Sequence, residues 1–155
     1  MIRKAVLRDV SEIVKLGEEL WSYHDKRFKV CQIFNKRKKS AGKLLSNFVK
    51  KQIKSRNGLV LVAEDEKIFA YCICFIKKNS PIFAIEKVGY ISDLFVEDKY
   101  RGKKISSGFN RQAAKWFKGK VKIIEIAAYP PNKRAVSIYR KWGFKDYHLA
   151  LRKKI

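Results

Sequence analysis

Between Ile91 and Ser106 the chain reads ISDLFVEDKYRGKKIS, an apolar run that passes into a basic turn containing one glycine. If the run is a strand and a helix follows the turn, free backbone N–H groups and the helix's positive end converge on one point, which suits a phosphate. Arg101, Lys103 and Lys104 add three cations there, Gly102 lets the backbone approach closely, and Ile105 and Ser106 open the helix. The alternative is an ordinary turn whose lysines are solvated. A second pair, Asn132 and Tyr139, lies seven residues apart. That is about two helical turns, so both side chains can meet one elongated ligand. Alternatively, Tyr139 is a core aromatic with a bonded hydroxyl. Asp93 lies between Ile91 and Phe95 on what reads as one strand face. A carboxylate among apolar neighbours must be paired, neutralised or functional. The chemistry within reach is anion binding joined to proton transfer.

The elements that must position these residues follow from periodicity. Residues 2 to 7 alternate as a first strand, and Asp9 or Ser11 can cap a helix bearing Ile13, Leu16, Leu20 and Trp21. Residues 22 to 40 are polar, basic and weakly periodic, and read as a loop with a short helical turn, of a length that suits a substrate-facing loop. Ser40 can cap a second helix carrying Leu44, Leu45, Phe48, Val49 and Ile53, which stops near Asn57 and Gly58. Leu59 to Ala63 and Ile68 to Ile76 form a hairpin around an acidic turn, and Val88 to Val96 is a further strand. Ile105, Phe109, Ala113 and Phe117 recur every four residues and define the helix after the basic turn. Val121 to Ala128 is a strand, Asn132 caps a last helix that Gly143 stops, and Phe144 to Leu151 closes as a strand. The order β α α β β β α β α β predicts one mixed α/β domain over residues 1–155.

Composition narrows the setting. The chain has 155 residues, 46% of them hydrophobic, enough to close one core. Its longest apolar run, Ile68 to Ile76, is far shorter than the roughly 20 residues of a membrane-spanning helix. The N-terminus mixes charged with apolar residues, unlike a secretion signal, so a cytoplasmic location is expected. Cys31, Cys72 and Cys74 read as reduced core thiols. With only His24 and His148 beside them, no metal site is expected. The formal charge is +23, from 37 Lys and Arg against 14 Asp and Glu, and its field attracts anions such as coenzyme A, RNA or anionic surfaces.

The run ISDLFVEDKYRGKKISSGF resembles the acetyl-coenzyme A binding segment of the GNAT N-acetyltransferase family, where a strand leads into Arg/Gln-x-x-Gly-x-Gly/Ala. Lys104 and Ser106 stand where the family usually has glycine and glycine or alanine, and Asp98 stands where proline is common. Asn132, Ala135, Tyr139, Gly143 and Phe144 match the second family pattern, Asn-x-x-Ala-x-x-x-Tyr-x-x-x-Gly-Phe, at every named position. Ser92-Asp93 resembles the Glu-Asp pair of diamine and spermidine acetyltransferases, with serine in place of the first carboxylate. The run HDKRF, with Asp25, Arg27 and Phe28, is similar to the family's Asp-Pro-Arg-Phe segment, with Lys26 replacing proline.

The resemblance implies the GNAT fold, a central, mostly antiparallel sheet of about six or seven strands flanked by about four helices. It implies that acetyl-CoA is the cosubstrate and that the acetyl group passes to a primary amine by direct attack. The amine would belong to a small molecule or polyamine, or to a protein or peptide. Leu94, Phe95 and Val96 would offer backbone groups to the pantetheine arm, and Arg101, Gly102, Lys103, Lys104, Ile105 and Ser106 would hold the pyrophosphate. Asn132 and Tyr139 would also contact the cofactor. Tyr139 would protonate the departing thiolate, and Asp93, Glu125 or a water chain would take the amine's proton. Asp25, Phe28 and Ser92 would line the acceptor site. The charge leaves a second reading open, a non-catalytic module on this fold that binds nucleic acid or the ribosome. A homodimer is compatible with either.

Overall fold

The computed structural model describes every residue from Met1 to Ile155. Five strands form one sheet in the order β1-β2-β3-β4-β5: β1 Ile2–Lys4, β2 Gly58–Glu64, β3 Ile68–Lys78, β4 Lys87–Val96 and β5 Ile124–Ile126. The first four pair antiparallel, whereas β5 runs parallel to β4. The helices are α1 Val10–Arg27, α2 Lys29–Phe34, α3 Ala41–Lys54, α4 Ile105–Phe117 and α5 Lys133–Lys141. No helix is long and apolar enough to cross a membrane.

Strands β2 and β3 are buried on both faces, Leu59 to Ala63 and Ile68 to Cys74 without a break, because helices cover both sides of the sheet. This explains why they read as continuous apolar runs rather than alternating ones. On one face, Ile13 and Leu16 of α1 and Leu45 and Val49 of α3 pack with Val60, Val62, Tyr71, Ile73 and Phe95. On the other, Phe109, Ala113 and Phe117 of α4 pack with Leu59, Leu61, Cys72, Cys74, Ile91 and Val96. The four-residue stripe of α4 is thus the core stripe. Cys72 and Cys74 sit in this second core, fully buried, with their Sγ atoms 3.6 Å apart.

Several expectations are corrected. The stretch 22 to 40 is largely helical: α1 continues through Arg27, and α2 follows after one extended residue, Phe28. Packing overrides the polar composition here, since Phe28 and Cys31 are both buried. Asp9 does not cap α1. Its carboxylate accepts the Val6 N–H at 2.8 Å and pairs with Arg3, which also holds Glu64. The first strand stops at Lys4, and the strand expected over 121 to 128 is confined to Ile124–Ile126, because the Val121 N–H still belongs to the turn closing α4. The closing strand over 144 to 151 does not form, so the sheet has five strands rather than six or seven.

The most consequential correction lies in β4. Asp93 pairs with Ile73, but Ile91 pairs with Cys74, so Ser92 is an extra residue in the ladder. Such a bulge breaks the alternation of side chains. Ile91 therefore joins the α4 core, while Phe95, and with it Asp93, faces the α1 and α3 layer. Ile91, Asp93 and Phe95 do not share one face.

Candidate active site

The site begins where β4 and β5 part. Their pairing covers only Gly89 to Ile91 against Ile124 to Ile126. From Ser92 to Val96, β4 keeps β3 on one side and has no strand on the other. An open backbone edge through Leu94, Phe95 and Val96 can hydrogen-bond an extended amide-bearing ligand as a strand would.

At the end of this edge the chain turns into α4. The Gly108 N–H, bonded to Lys104 O at 3.0 Å, is the first to enter the helical ladder, and no N–H from Gly102 through Ser107 donates to a backbone carbonyl. Gly102 (φ 83°) and Lys104 (φ 61°) both lie in the left-handed region, and this curls the turn so that successive amides precede the helix. Six unpaired donors at a helix N-terminus can cradle an anion. A Cβ built on Gly102 meets nothing within 4 Å, so the approach is open.

The cations of the turn are less free than the sequence implies. Arg101 braces the turn: its Nε donates to Val96 O at 2.9 Å, its Nη1 lies 2.6 Å from Asp98, and its guanidinium covers the Tyr23 ring at 4.7 Å. The Lys103 ammonium lies 5.1 Å from the Tyr100 ring centre. Lys104 is a non-glycine residue in a conformation that costs roughly 1–2 kcal/mol. Lys104→Gly is therefore expected to raise stability by about 1 kcal/mol, measured by urea unfolding. Unchanged or reduced stability would show that the lysine side chain compensates for its backbone.

Asp93 lies in the stretch of β4 that has no strand on its other side. The Asp93 Oδ2 accepts the Ser92 hydroxyl at 2.8 Å, and that hydroxyl also lies 3.4 Å from Ile73 O. No cation pairs with Asp93, and burial holds its carboxyl above the usual carboxylate range, with the serine bond opposing in part. The ion-pair reading of this residue therefore fails. Glu125, the other carboxylate on a neighbouring strand, is tied to Lys77 at 2.6 Å. Tyr139 sits on α5, whose N-terminus Asn132 caps by accepting the Ala135 N–H at 3.2 Å. Gly143 (φ 93°) ends that helix and returns the chain so that the Tyr139 ring packs beside Trp142 and Phe144. Burial, with the field of Cys72, pushes the Tyr139 phenol up to about 12. The Cys72 thiol, hydrogen-bonded to Cys74 and fully buried, is itself raised well above its ordinary value.

Of the residues expected to line the acceptor site, Phe28 is brought to the region just after β5. Its ring lies 6.1 Å from Tyr129 and 5.6 Å from His24, which itself meets Tyr129 at 5.2 Å. The Asn35 amide donates to the Tyr129 hydroxyl at 2.6 Å. Sequence reading missed this aromatic group, because its members lie a hundred residues apart and only the folded chain joins them. Asp25 turns the other way: one oxygen is bound by Arg37 and the other is buried without a partner, in a crevice with Glu18, Trp21 and Gln32. No cluster of histidine, cysteine or acidic residues is arranged to hold a metal.

Comparison with known proteins places this geometry. No curated protein matches the sequence. A point mutant of the BH1408 protein from Bacillus halodurans has a similar structure, with a TM-score of 0.84 at 26% identity, covering 100% of this chain and 99% of that one. A predicted acetyltransferase with acetyl-CoA from Clostridium acetobutylicum gives a TM-score of 0.78 at 19% identity, covering 99% and 95%. The aminoglycoside N-acetyltransferase AAC(6')-Iy in complex with CoA gives 0.77 at 12%, covering 100% and 93%. At these lower identities the likeness is one of fold. The model of the acetyltransferase (GNAT) family matches residues 16–144, spanning the open β4 edge, the amide cradle and α5 through its stop, and the chain belongs to that family.

Proposed function

We propose that this protein transfers the acetyl group of acetyl-CoA to a primary amine. The observation that carries the reading is the run of six unpaired amides, Gly102 to Ser107, directly beyond the unpaired edge of β4. An extended arm ending in a pyrophosphate matches that sequence of groups, edge first and cradle second. Leu94 to Val96 hold the arm, and the cradle holds the phosphates. Asp93, oriented by Ser92, takes the proton that the amine must lose, and its raised pKa brings it nearer the working pH of a base. As the nitrogen–carbon bond forms and the carbon–sulfur bond breaks, Tyr139 donates from its hydroxyl to the departing sulfur. No protein group competes for that hydrogen.

Charge selects among acceptors. A protein of +23 repels polyamines and aminoglycosides over long range, whereas it attracts an amine carried on an anionic molecule, such as the N-terminus or a lysine of an acidic peptide. Calorimetric titration should show acetyl-CoA binding that weakens as salt rises, because phosphates meet a cationic surface. Absence of heat at millimolar acetyl-CoA would sink the proposal.

A second reading has one observation of its own. Residues 26 to 63 carry twelve lysines and arginines and no acid, a stretch that includes all of α2 and α3. This is the footprint of a polyanion site. Filter binding with RNA at low and high salt tests it, and no retention at low salt rejects it.

A further inference from the structure

We infer that the end of the sheet opposite the amide cradle docks on an anionic lipid bilayer, with Ile82 and Phe83 entering the headgroup region and the surrounding lysines meeting the lipid charge. This docking does not depend on acetyl transfer and uses a part of the molecule that the proposed reaction leaves free.

Three segments meet at that end. The hairpin joining β3 to β4 turns there, with Lys78 opposite Lys87 at its last rung. The chain leaving α3 enters β2 beside it, since the Ile76 N–H donates to Asn57 O at 2.8 Å. The C-terminus of α4 arrives from the other layer: the Gly89 N–H donates to Ile123 O at 2.9 Å, and a Cβ built on Gly89 would run into the Phe117 ring. From Lys87, β4 runs ten residues to Val96, so this end lies roughly 30 Å from the start of the cradle turn.

The hairpin tip is apolar and held outward. Its backbone is closed by the Asn79 N–H to Glu86 O at 2.7 Å and the Phe83 N–H to Ser80 O at 3.0 Å, and the Asn79 side chain donates to Ile85 O at 2.9 Å. Although the turn is bonded, Ile82 is 82% exposed and Phe83 48%. Ile123, beyond α4 at the same end, is 41% exposed. An apolar pair on a braced, projecting tip with a charged rim marks an interaction site.

Charge defines the partner. Lys54 and Arg56 at the end of α3, Lys78 and Lys87 on the hairpin, and Lys118 and Lys122 after α4 are all exposed, and none is held in an ion pair. Between Lys77 and Lys87 the only acid is Glu86. Cations gathered around an apolar tip are drawn to the negative surface of a bilayer, and each one near it adds to binding. Five of these six are lysines. A compact point charge suits a fluid headgroup layer without fixed geometry, whereas the fixed phosphates of a nucleic acid favour the arginine fork. Isoleucine at the tip also fits acyl chains better than bases, which stack on aromatic faces. A chain docked by this end keeps the cradle on the far side, open to solution.

Sedimentation with vesicles tests this, comparing phosphatidylcholine alone with phosphatidylcholine containing phosphatidylglycerol. The proteins are the wild type, an Ile82→Ser, Phe83→Ser double variant and a Lys78→Gln, Lys87→Gln double variant. All four residues are exposed, so urea unfolding of both variants should match the wild type. The expected result is binding to the anionic vesicles alone, weakened by salt and reduced about 10-fold by either pair of substitutions. Phe83→Trp should also shift its emission to the blue on those vesicles. No binding to anionic vesicles, or no emission shift, overturns the docking. Binding indifferent to the apolar pair overturns it as well, because charge alone then adsorbs the protein and the face is a general polyanion site such as RNA would use. Binding indifferent to the lysine pair places the contact elsewhere on the molecule.

Discussion

Replacing Asp93 with asparagine is expected to make the protein more stable and less active. The half-buried Asp93 carboxylate, opposite Ile73 in the β3 register, has only the Ser92 hydroxyl as partner, and burial raises its pKa. The sign follows from linkage. The folded state binds this proton more tightly than the unfolded chain does, so stability falls as pH rises from the usual carboxylate range through the raised folded value. Above the raised folded value the penalty of a partly desolvated charge without a cation is present; at acid pH below the usual range it is absent. Asparagine keeps the shape and can still accept from Ser92, but carries no charge. Asp93→Asn should raise stability at neutral pH by about 0.5–2 kcal/mol, the range that a single stabilising substitution commonly gives. That gain should vanish in acid. The same substitution removes the proposed base, and kcat/KM should fall by about 100-fold, with loss of the acid limb of its pH profile. Urea unfolding at two pH values and the pH profile together decide the matter. A destabilised variant with normal turnover would make Asp93 a structural residue.

The sequence could not disclose this environment, because it depends on pairing between strands. Asp93 reads as lying on a face with Ile91, and only the β3 register shows that Ser92 is inserted and sends the two to opposite cores. Features encoded within a few residues were legible: the α4 stripe, the Asn132 cap, the Gly143 stop and the hairpin between β2 and β3. Features created by distant contacts were not. α2 is a short helix in polar sequence, held by Phe28 and Cys31 against the region of Tyr129. Arg101 reads as a phosphate ligand, yet its guanidinium is engaged by Val96, Asp98 and Tyr23. The alternation of the tail promises a strand, but no backbone hydrogen bond reaches residues 145 to 155, although the outer edge of β5 is free.

Tyr139→Phe tests the other side of the reaction, and the phenol's pKa sets the size of the effect. An ordinary thiol has a pKa of about 8.5, whereas Tyr139 is pushed up to about 12. Complete transfer of the phenolic proton to a departing thiolate is thus uphill by roughly 3 to 4 units, or about 5 kcal/mol. Donation of a hydrogen bond to the growing negative charge has no such penalty and contributes about 1.5–3 kcal/mol. The expected loss in kcat is accordingly about 10- to 150-fold, not the larger losses that follow removal of an obligatory proton donor. Acetyl-CoA affinity should change little, since Asn132 and the amide cradle are untouched. The phenol's position also predicts the alkaline behaviour. An unfolded tyrosine ionises near pH 10 while the folded one keeps its proton to about 12, so the wild type loses stability through that interval. Phenylalanine should abolish that loss. A fall of about 1,000-fold or more in kcat would mean that the proton passes fully from Tyr139 during the rate-limiting step, and unchanged turnover would remove the residue from the mechanism.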